Sequence, residues 1–125
     1  MADTKLRIWN KTRGVLIASK ADIADTSKKR RDGLLKRTGL ADGEGLWIAP
    51  CEAVHCFFMK FTIDVLFLKK DKRVAKARRS LKPWRLAACL SAYSVLELPE
   101  GTIERSGTAK GDELQFEKAV SEQAG

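Results

Sequence analysis

Residues Cys51 to Leu68 decide the fold of this chain: Cys-Glu-Ala-Val-His-Cys-Phe-Phe-Met-Lys-Phe-Thr-Ile-Asp-Val-Leu-Phe-Leu. The stretch ends in Val65-Leu-Phe-Leu, a short apolar run that is typical of a buried strand. It also contains the only histidine of the chain and an acid, Asp64, among apolar residues. Because polar groups inside apolar runs need partners, we interpret this stretch as the structural centre of a sheet or as a binding site.

Short strands are predicted on both sides of this stretch. Gly, Pro and polar residues separate these strands from one another. The predicted strands cover residues 5–9, 15–18, 45–50, 54–58, 65–68, 73–81, 93–98 and 113–117. One short helix is predicted over about 27–37, and a short helical turn near 99–105. We therefore expect a β-rich α+β fold with an antiparallel or mixed sheet that is closed or barrel-like, since closure removes exposed strand edges.

The chain length of 125 residues suits one domain with one core. The sequence contains neither an internal repeat nor an interdomain linker, so we expect a single domain with a frayed tail over 119–125. The N-terminus lacks the pattern of a secretory signal, and apolar runs are too short to cross a bilayer. These features predict a soluble cytoplasmic protein, which we expect to be a monomer.

The formal net charge is +8, and the basic residues are concentrated in two blocks, 28–37 and 69–85. Such blocks attract nucleic acid, an anionic membrane surface or an acidic protein. They also serve as solvated faces that keep a small protein soluble. Because aromatic residues are not interleaved within the blocks, the solvated face is the favoured interpretation.

The three cysteines, an odd number, predict buried thiols rather than a disulfide framework. Cys51, His55 and Cys56 have side chains of the types that bind soft metals, but adjacent residues of a strand point to opposite faces. A catalytic pair of Cys56 and His55 would require a thiolate close to the imidazole. We therefore predict neither a metal nor a cofactor, and His55 has a structural alternative in which it locks a turn.

Asp64 also has two interpretations. It either accepts backbone amide hydrogen bonds and holds a turn, or it faces a pocket together with His55, where the pair would act as a general base. Lys60, close by, is either a pocket cation for a carboxylate or phosphate, or a side chain that extends to water.

Trp84 and Glu97 are two further positions whose role depends on whether they are buried. Trp84, held by Pro83 and followed by Arg85, is a candidate flat cationic surface for stacking on a base, a sugar or an aromatic ring. Buried packing is the more common role of a tryptophan. Glu97 lies between Leu96 and Leu98, and the strand period of two predicts that it is exposed or paired with a cross-strand Lys or Arg.

Seven motifs occur in order, and each is weak alone: Arg-Arg-Asp-Gly-Leu-Leu from residue 30, Gly-Leu-Trp-Ile-Ala-Pro-Cys from 45, Val-His-Cys-Phe-Phe-Met-Lys-Phe from 54, Ile-Asp-Val-Leu-Phe-Leu from 63, Leu-Lys-Pro-Trp-Arg from 81, Val-Leu-Glu-Leu-Pro-Glu-Gly from 95, and Gly-Asp at 111. Together they resemble the uncharacterised bacterial and archaeal family called domain of unknown function 192, over roughly residues 21–116. The resemblance implies a compact β-rich domain and no established activity, substrate or cofactor.

Three functions remain open from the sequence. The favoured one is a small non-enzymatic binding module with a pocket or groove, whose candidate residues are His55, Phe58, Lys60, Asp64, Trp84 and Arg85. The second is a hydrolase-like or metal-assisted enzyme that uses His55 and Asp64, with Cys56 as a further candidate. The third is a nucleic-acid accessory protein that uses the basic blocks 28–37 and 69–85. A small ligand, an acidic protein and nucleic acid are accordingly the candidate partners.

Overall fold

A computed structural model of the protein describes residues 4–34, 37–55 and 60–119, with the backbone alone at positions 54 and 55. The described part of the chain contains nine strands, namely β1 (Leu6–Asn10), β2 (Val15–Ala24), β3 (Glu44–Ile48), β4 (Ala53–His55), β5 (Ile63–Leu68), β6 (Val74–Leu81), β7 (Leu86–Ala88), β8 (Ser94–Pro99) and β9 (Leu114–Lys118). It contains two short helices, α1 (Ser27–Asp32) and α2 (Thr102–Ser106). Neither helix is long and apolar enough to span a bilayer.

Seven strands form one mixed sheet in the order β6-β5-β8-β3-β2-β1-β9, and β4 pairs with β7 in a separate two-stranded sheet. Only the β2–β3 pair is parallel among the described pairings, and its connection contains α1. This agrees with the longer crossover that parallel neighbours need. The large sheet curls into a half-barrel, and a bridge between Arg73 and Glu113 joins its two edges at one end.

Both faces of the central strands β5 and β8 are buried, and every residue of these two strands is inaccessible or nearly so. On one face, which we call the β7 face, Ala87 of β7 packs in a cluster with Val65, Phe67 and Val95. On the other, which we call the α2 face, Ile103 of α2 packs in a second cluster. A strand that is buried on both sides has apolar residues at every position rather than at alternate ones. This explains the continuous apolar run over residues 65–68, from which a buried strand was predicted.

The predicted β-rich fold with a curled sheet is confirmed. The helix predicted over 27–37 is shorter, because Gly33 ends α1 with a positive φ of 50°. Its N-cap is Thr26, whose hydroxyl accepts the amide of Lys29 at 3.1 Å. The helical turn expected near 99–105 is α2, and the strand β7 was not predicted from the sequence.

Two predicted segments fall partly outside the described residues. The strand expected over 54–58 begins in β4, and positions 56–59 lie beyond the described ranges. The tail expected to fray from residue 119 is tied at its first residue, where the amide of Ala119 donates to the carbonyl of Lys5 at 3.0 Å. Positions 120–125 are not described.

A buried carboxylate, Asp112, holds β1 against the start of β9. Its Oδ2 accepts from Nδ2 of Asn10 at 2.9 Å, from Nε of Arg13 at 2.6 Å and from the amide of Ala109 at 3.0 Å. Burial acts to raise the pKa of Asp112, but Arg13, Asn10 and the Ala109 amide outweigh it and lower the pKa. The side chain therefore stays ionised and keeps three donors satisfied.

The substitution Asp112→Ala should lower the free energy of unfolding by about 3 kcal/mol, because it leaves the fully buried amide of Asn10 and the Arg13 cation without this acceptor. Urea unfolding at pH 7 measures this. The matched control is Glu104→Ala, at an exposed acid, which should change the value by less than about 0.5 kcal/mol. Equal effects of the two substitutions would contradict the assigned role.

Candidate functional site

Asp64 is a buried hub of backbone hydrogen bonds. Its Oδ1 accepts the amide of Ser80 at 2.9 Å, and its Oδ2 accepts the amides of Gly101 at 3.1 Å and Ile103 at 2.9 Å. The side chain is 1% exposed. One carboxylate on β5 thus ties the end of β6 to the first turn of α2, which is the turn-holding alternative considered for this residue.

Asp64 lies on a different face of the sheet from the strand that contains His55. The Asp64 carboxylate contacts Ile103 on the α2 face. The backbone of His55 pairs with Leu86 in the small sheet, whose Ala87 packs on the β7 face. The large sheet therefore separates Asp64 from the β4–β7 pair.

Trp84 lies at the third position of a tight turn between β6 and β7. The amide of Arg85 donates to the carbonyl of Lys82 at 3.2 Å, Pro83 takes the second position, and Trp84 has a positive φ of 69°. This is the pattern of a type II turn, whose third position normally carries glycine. The tryptophan is 57% exposed despite its size. The structure thus presents a large aromatic ring at a strained position on the surface.

Five cations on β6, in the turn after it or in the loop that precedes β9 make no ion pair with any acid in the described ranges: Arg78, Arg79, Lys82, Arg85 and Lys110. We call them the basic edge, because the first three lie on or just beyond β6, the edge strand of the large sheet. Other basic residues are engaged: Arg13, Lys28 and Arg37 pair with aspartates, and Lys72 lies over the rings of Trp47 and Phe116.

A groove of about 570 Å³ runs beside β6. Lys76 and Arg79 line it from β6, and Lys110 lines it from the loop that precedes β9. Its lining contains three cations and no acidic residue, with Cys89 and Ser91 on the side of the small sheet. Lys76 and Arg79, two residues of the second basic block of the sequence, therefore border an electropositive groove.

The prediction for Glu97 is wrong. The side chain is 4% exposed, and its cross-strand neighbours are Leu46 on β3 and Val65 on β5 rather than a Lys or Arg. Its Oε1 has no hydrogen-bond partner among the described residues. The strand period of two correctly places Glu97 on the face opposite Leu96 and Leu98. That face is covered as well, so β8 has no side that is exposed to solvent. Burial raises the pKa of Glu97 to about 7.

Cys51 belongs to the same region of the β7 face. It packs against the apolar cluster, and its thiol donates to the carbonyl of Ala53 at 3.0 Å. Burial, together with the negative charge of Glu97, raises the pKa of Cys51. The thiol is therefore protonated at neutral pH and lacks the low pKa of a nucleophilic cysteine.

Among the other sequence candidates, Lys60 and Arg85 are exposed, and Trp47 packs edge-on against Phe116 with ring centroids 5.2 Å apart. Cys56 and Phe58 lie outside the described residues, and so does the side chain of His55. The burial of Glu97 was not predicted from the sequence. Val95 indicates it, because this apolar residue lies two positions earlier on the same face of β8 and is buried like the residues of the other face.

Comparison with known proteins identifies the family of this chain. The family model of domain of unknown function 192, described as Uncharacterized ACR, matches residues 8–116. The chain belongs to this family. A UPF0127 protein of Thermococcus sibiricus is 34% identical over 114 residues, which cover 86% of this chain and 73% of the relative. A UPF0127 protein of Pyrococcus furiosus is 32% identical over 117 residues, 89% of this chain and 98% of the relative.

Two solved structures share the fold of this family member. One is "a putative transcription regulator" from Sinorhizobium meliloti, with a TM-score of 0.79 and 22% identity over 92% of this chain and 94% of that one. The other is a protein of unknown function from Novosphingobium aromaticivorans, with a TM-score of 0.74 and 24% identity over 89% of this chain and 83% of that one. At these identities, the likeness shows the architecture alone.

The substitution Asp64→Asn tests the hub in this family member. An amide group cannot accept on both of its heteroatoms, so at least one of the amides of Ser80, Gly101 and Ile103 loses its acceptor. We expect the free energy of unfolding to fall by about 2–4 kcal/mol in urea titrations. Asp42→Asn, at an exposed carboxylate, is the matched control. A stability equal to that of the wild type would remove Asp64 from its structural role.

The raised pKa of Glu97 predicts a pH dependence of stability. Between an ordinary value of 4.5 and about 7, the unfolded chain loses the proton while the folded protein retains it, so stability falls as the pH rises through this interval. Relative to wild type, Glu97→Gln should gain roughly 3 kcal/mol between pH 4.5 and pH 8. Urea unfolding of both proteins at each pH measures this, and a difference that does not change with pH would contradict the buried acid.

Proposed function

We propose that this protein is a non-enzymatic binding module for single-stranded nucleic acid. Its binding surface consists of Trp84 and the basic edge, and a strand of nucleic acid follows β6 along the electropositive groove. The observation that supports this most directly is the exposed Trp84 at a turn position with a positive φ, where glycine would be the unstrained residue.

The conformation of Trp84 argues for a role beyond packing. A residue with a side chain and a positive φ is held at a cost of order 1–3 kcal/mol, and such residues concentrate at functional sites. More than half of the Trp84 side chain remains accessible to solvent. An exposed indole offers a flat face for a base, and base–aromatic stacking contributes about 1–3 kcal/mol per base.

The charges of the surface complement a phosphate backbone. Arg79 and Lys110 border the groove, and Lys82 and Arg85 flank the ring of Trp84 in the sequence. Since these side chains have no ion-pair partner among the described residues, phosphates would not have to displace protein carboxylates to bind them. The cations that line the groove and the aromatic ring of Trp84, which lies outside the groove at the turn after β6, are the two kinds of group that single strands require.

The hydrolase-like alternative receives less support. It needs Asp64 beside His55, whereas both oxygens of Asp64 accept backbone amides on the α2 face. A general base needs a free lone pair directed at the proton that it removes. We accordingly leave Asp64 out of the proposed binding surface and assign it to the positioning of Ser80, four residues before Trp84.

A binding titration tests the proposal. A fluorescently labelled 12-nucleotide single strand should bind with an affinity that falls steeply between 50 and 200 mM NaCl. If four cations of the basic edge neutralise phosphates, the slope of log K against log salt is about −3. The triple variant Arg79→Gln, Lys82→Gln, Arg85→Gln should reduce this slope by about 2. A matched triple variant with the same loss of charge, Lys11→Gln, Lys20→Gln, Lys118→Gln, should leave it nearly unchanged.

The substitution Trp84→Gly separates binding from folding, because glycine tolerates the positive φ. We expect the melting temperature to stay constant or rise, and the affinity for the strand to fall about tenfold. Trp84→Phe, which retains a ring, should recover most of the affinity. Absence of binding by the wild type, or equal binding of a poly-glutamate peptide of the same charge, would refute the proposal.

A further inference from the structure

The small β4–β7 sheet has a side that faces away from the protein, and apolar residues occupy it. Along β7 and the two residues after it, burial alternates. Ala87 is buried and Cys89 packs against the core on the β7 face. The alternate residues, Leu86, Ala88 and Leu90, are exposed. This period of two places the three exposed residues on the side of β7 that is directed away from the large sheet.

Strand β4 extends this apolar surface. Ala53 lies directly opposite Ala88 in the antiparallel pair and is exposed as well, and residues directly opposite each other share one face. We call this surface the outer face, and it consists of Ala53, Leu86, Ala88 and Leu90. Leu86 is 64% exposed and Leu90 is 84% exposed, the two highest values among the large apolar residues that the structure describes. Exposed apolar residues that cluster in this way mark an interaction surface.

Cations border the outer face at both ends of β7. Lys76 and Arg79 line a groove that is also lined by the two residues on either side of Leu90. Nζ of Lys76 donates to the carbonyl of Ala88 at 3.0 Å, so this ammonium group lies against the strand itself. Arg85, just before the first residue of β7, is exposed. The apolar residues are thus accompanied by positive charge.

An aromatic residue lies beside the small sheet. The carbonyl of Tyr93 accepts the amide of Cys51 at 2.8 Å, just before β4 begins. The side chain of Tyr93 is exposed, and Nζ of Lys70 lies 5.4 Å from the centre of its ring. Tyrosine rings are enriched at the boundary between lipid tails and head groups, and lysines extend from apolar surfaces towards polar ones.

The charge around the outer face selects among the possible occupants. Residues 50–60 and 82–93 contain three cations and one acid, Glu52. A second copy of the chain would bring like charges together, which opposes association. A nucleic acid supplies negative charge but no apolar layer for leucine side chains. An anionic bilayer supplies both, because its surface is negative and its interior is apolar.

We propose that the outer face attaches this protein reversibly to the surface of an anionic lipid bilayer. Leu86 and Leu90 enter the boundary of the acyl chains, and the cations around them contact lipid phosphates. Neither leucine belongs to the surface proposed for nucleic acid, so this inference does not rest on that function. Arg79 and Arg85 belong to the basic edge as well, and the variants that separate the two proposals are therefore those of the leucines.

Sedimentation with lipid vesicles tests the attachment. Vesicles of phosphatidylcholine with about 30% phosphatidylglycerol should carry the protein into the pellet, whereas vesicles of phosphatidylcholine alone should bind it at least tenfold more weakly. The affinity for the anionic vesicles should fall at least fivefold between about 50 and 300 mM NaCl. Absence of the wild-type protein from the anionic pellet, or equal binding to both kinds of vesicle, would overturn the proposal.

Variants of the leucines separate insertion from simple attraction of charges. The double variant Leu86→Gln, Leu90→Gln should bind anionic vesicles at least tenfold more weakly, because it removes apolar groups and leaves every cation in place. Leu16→Gln, at an exposed leucine on β2, is the control and should keep the wild-type affinity. The melting temperature of each variant should stay close to that of the wild type, because these side chains are exposed.

The same double variant distinguishes this proposal from the others. Its affinity for the labelled single strand should equal that of the wild type, so a failure of nucleic-acid binding and a failure of vesicle binding are seen separately. Vesicle binding that the double variant retains in full would show attraction by the cations alone and would refute insertion. A wild-type dimer in analytical ultracentrifugation that dissociates in the double variant would assign the outer face to a second copy of the chain instead.

Discussion

The burial of both faces of strands β5 and β8 is the constraint on which the structure depends. A sheet with two covered faces needs two sets of covering elements, and this short chain supplies them with α2 on one side and the small β4–β7 sheet on the other. Every polar group on these strands must then find a partner inside the protein or in a ligand. Asp64 of β5 meets this requirement with three backbone amides, whereas Oε1 of Glu97 on β8 has no hydrogen-bond partner among the described residues.

Asp64 shows how a buried carboxylate can organise a fold. Its three backbone donors come from two separate segments, the end of β6 and the first turn of α2, so one side chain joins elements far apart in the sequence. The same hydrogen bond fixes Ser80, which has a positive φ of 50°, immediately before the turn that presents Trp84. The connection between β6 and β7 thus contains both a structural hydrogen bond and the aromatic residue of the proposed binding surface.

The cations of the basic edge and the carboxyl group of Glu97 lie in different environments, the first exposed to water and the second buried. The cations of the basic edge are exposed to water, so their lack of ion pairs with the described acids costs little, and the proposed function assigns them to phosphates. The carboxyl group of Glu97 is out of water, and this burial raises its pKa to about 7. The first arrangement suits the proposed salt-sensitive binding of a polyanion, and the second makes the stability of the fold depend on pH.

The local pattern of residues determined the β-rich class, the buried strand at 65–68, the helix start at Thr26 and the family, because periodicity, caps and ordered motifs are written in neighbouring residues. Only the tertiary structure decided the burial of Glu97 and the separation of Asp64 from the strand of His55. Both depend on which elements cover each face of the sheet, through contacts between residues distant in sequence. A period of two assigns side chains to alternate faces, but it does not tell which faces meet water.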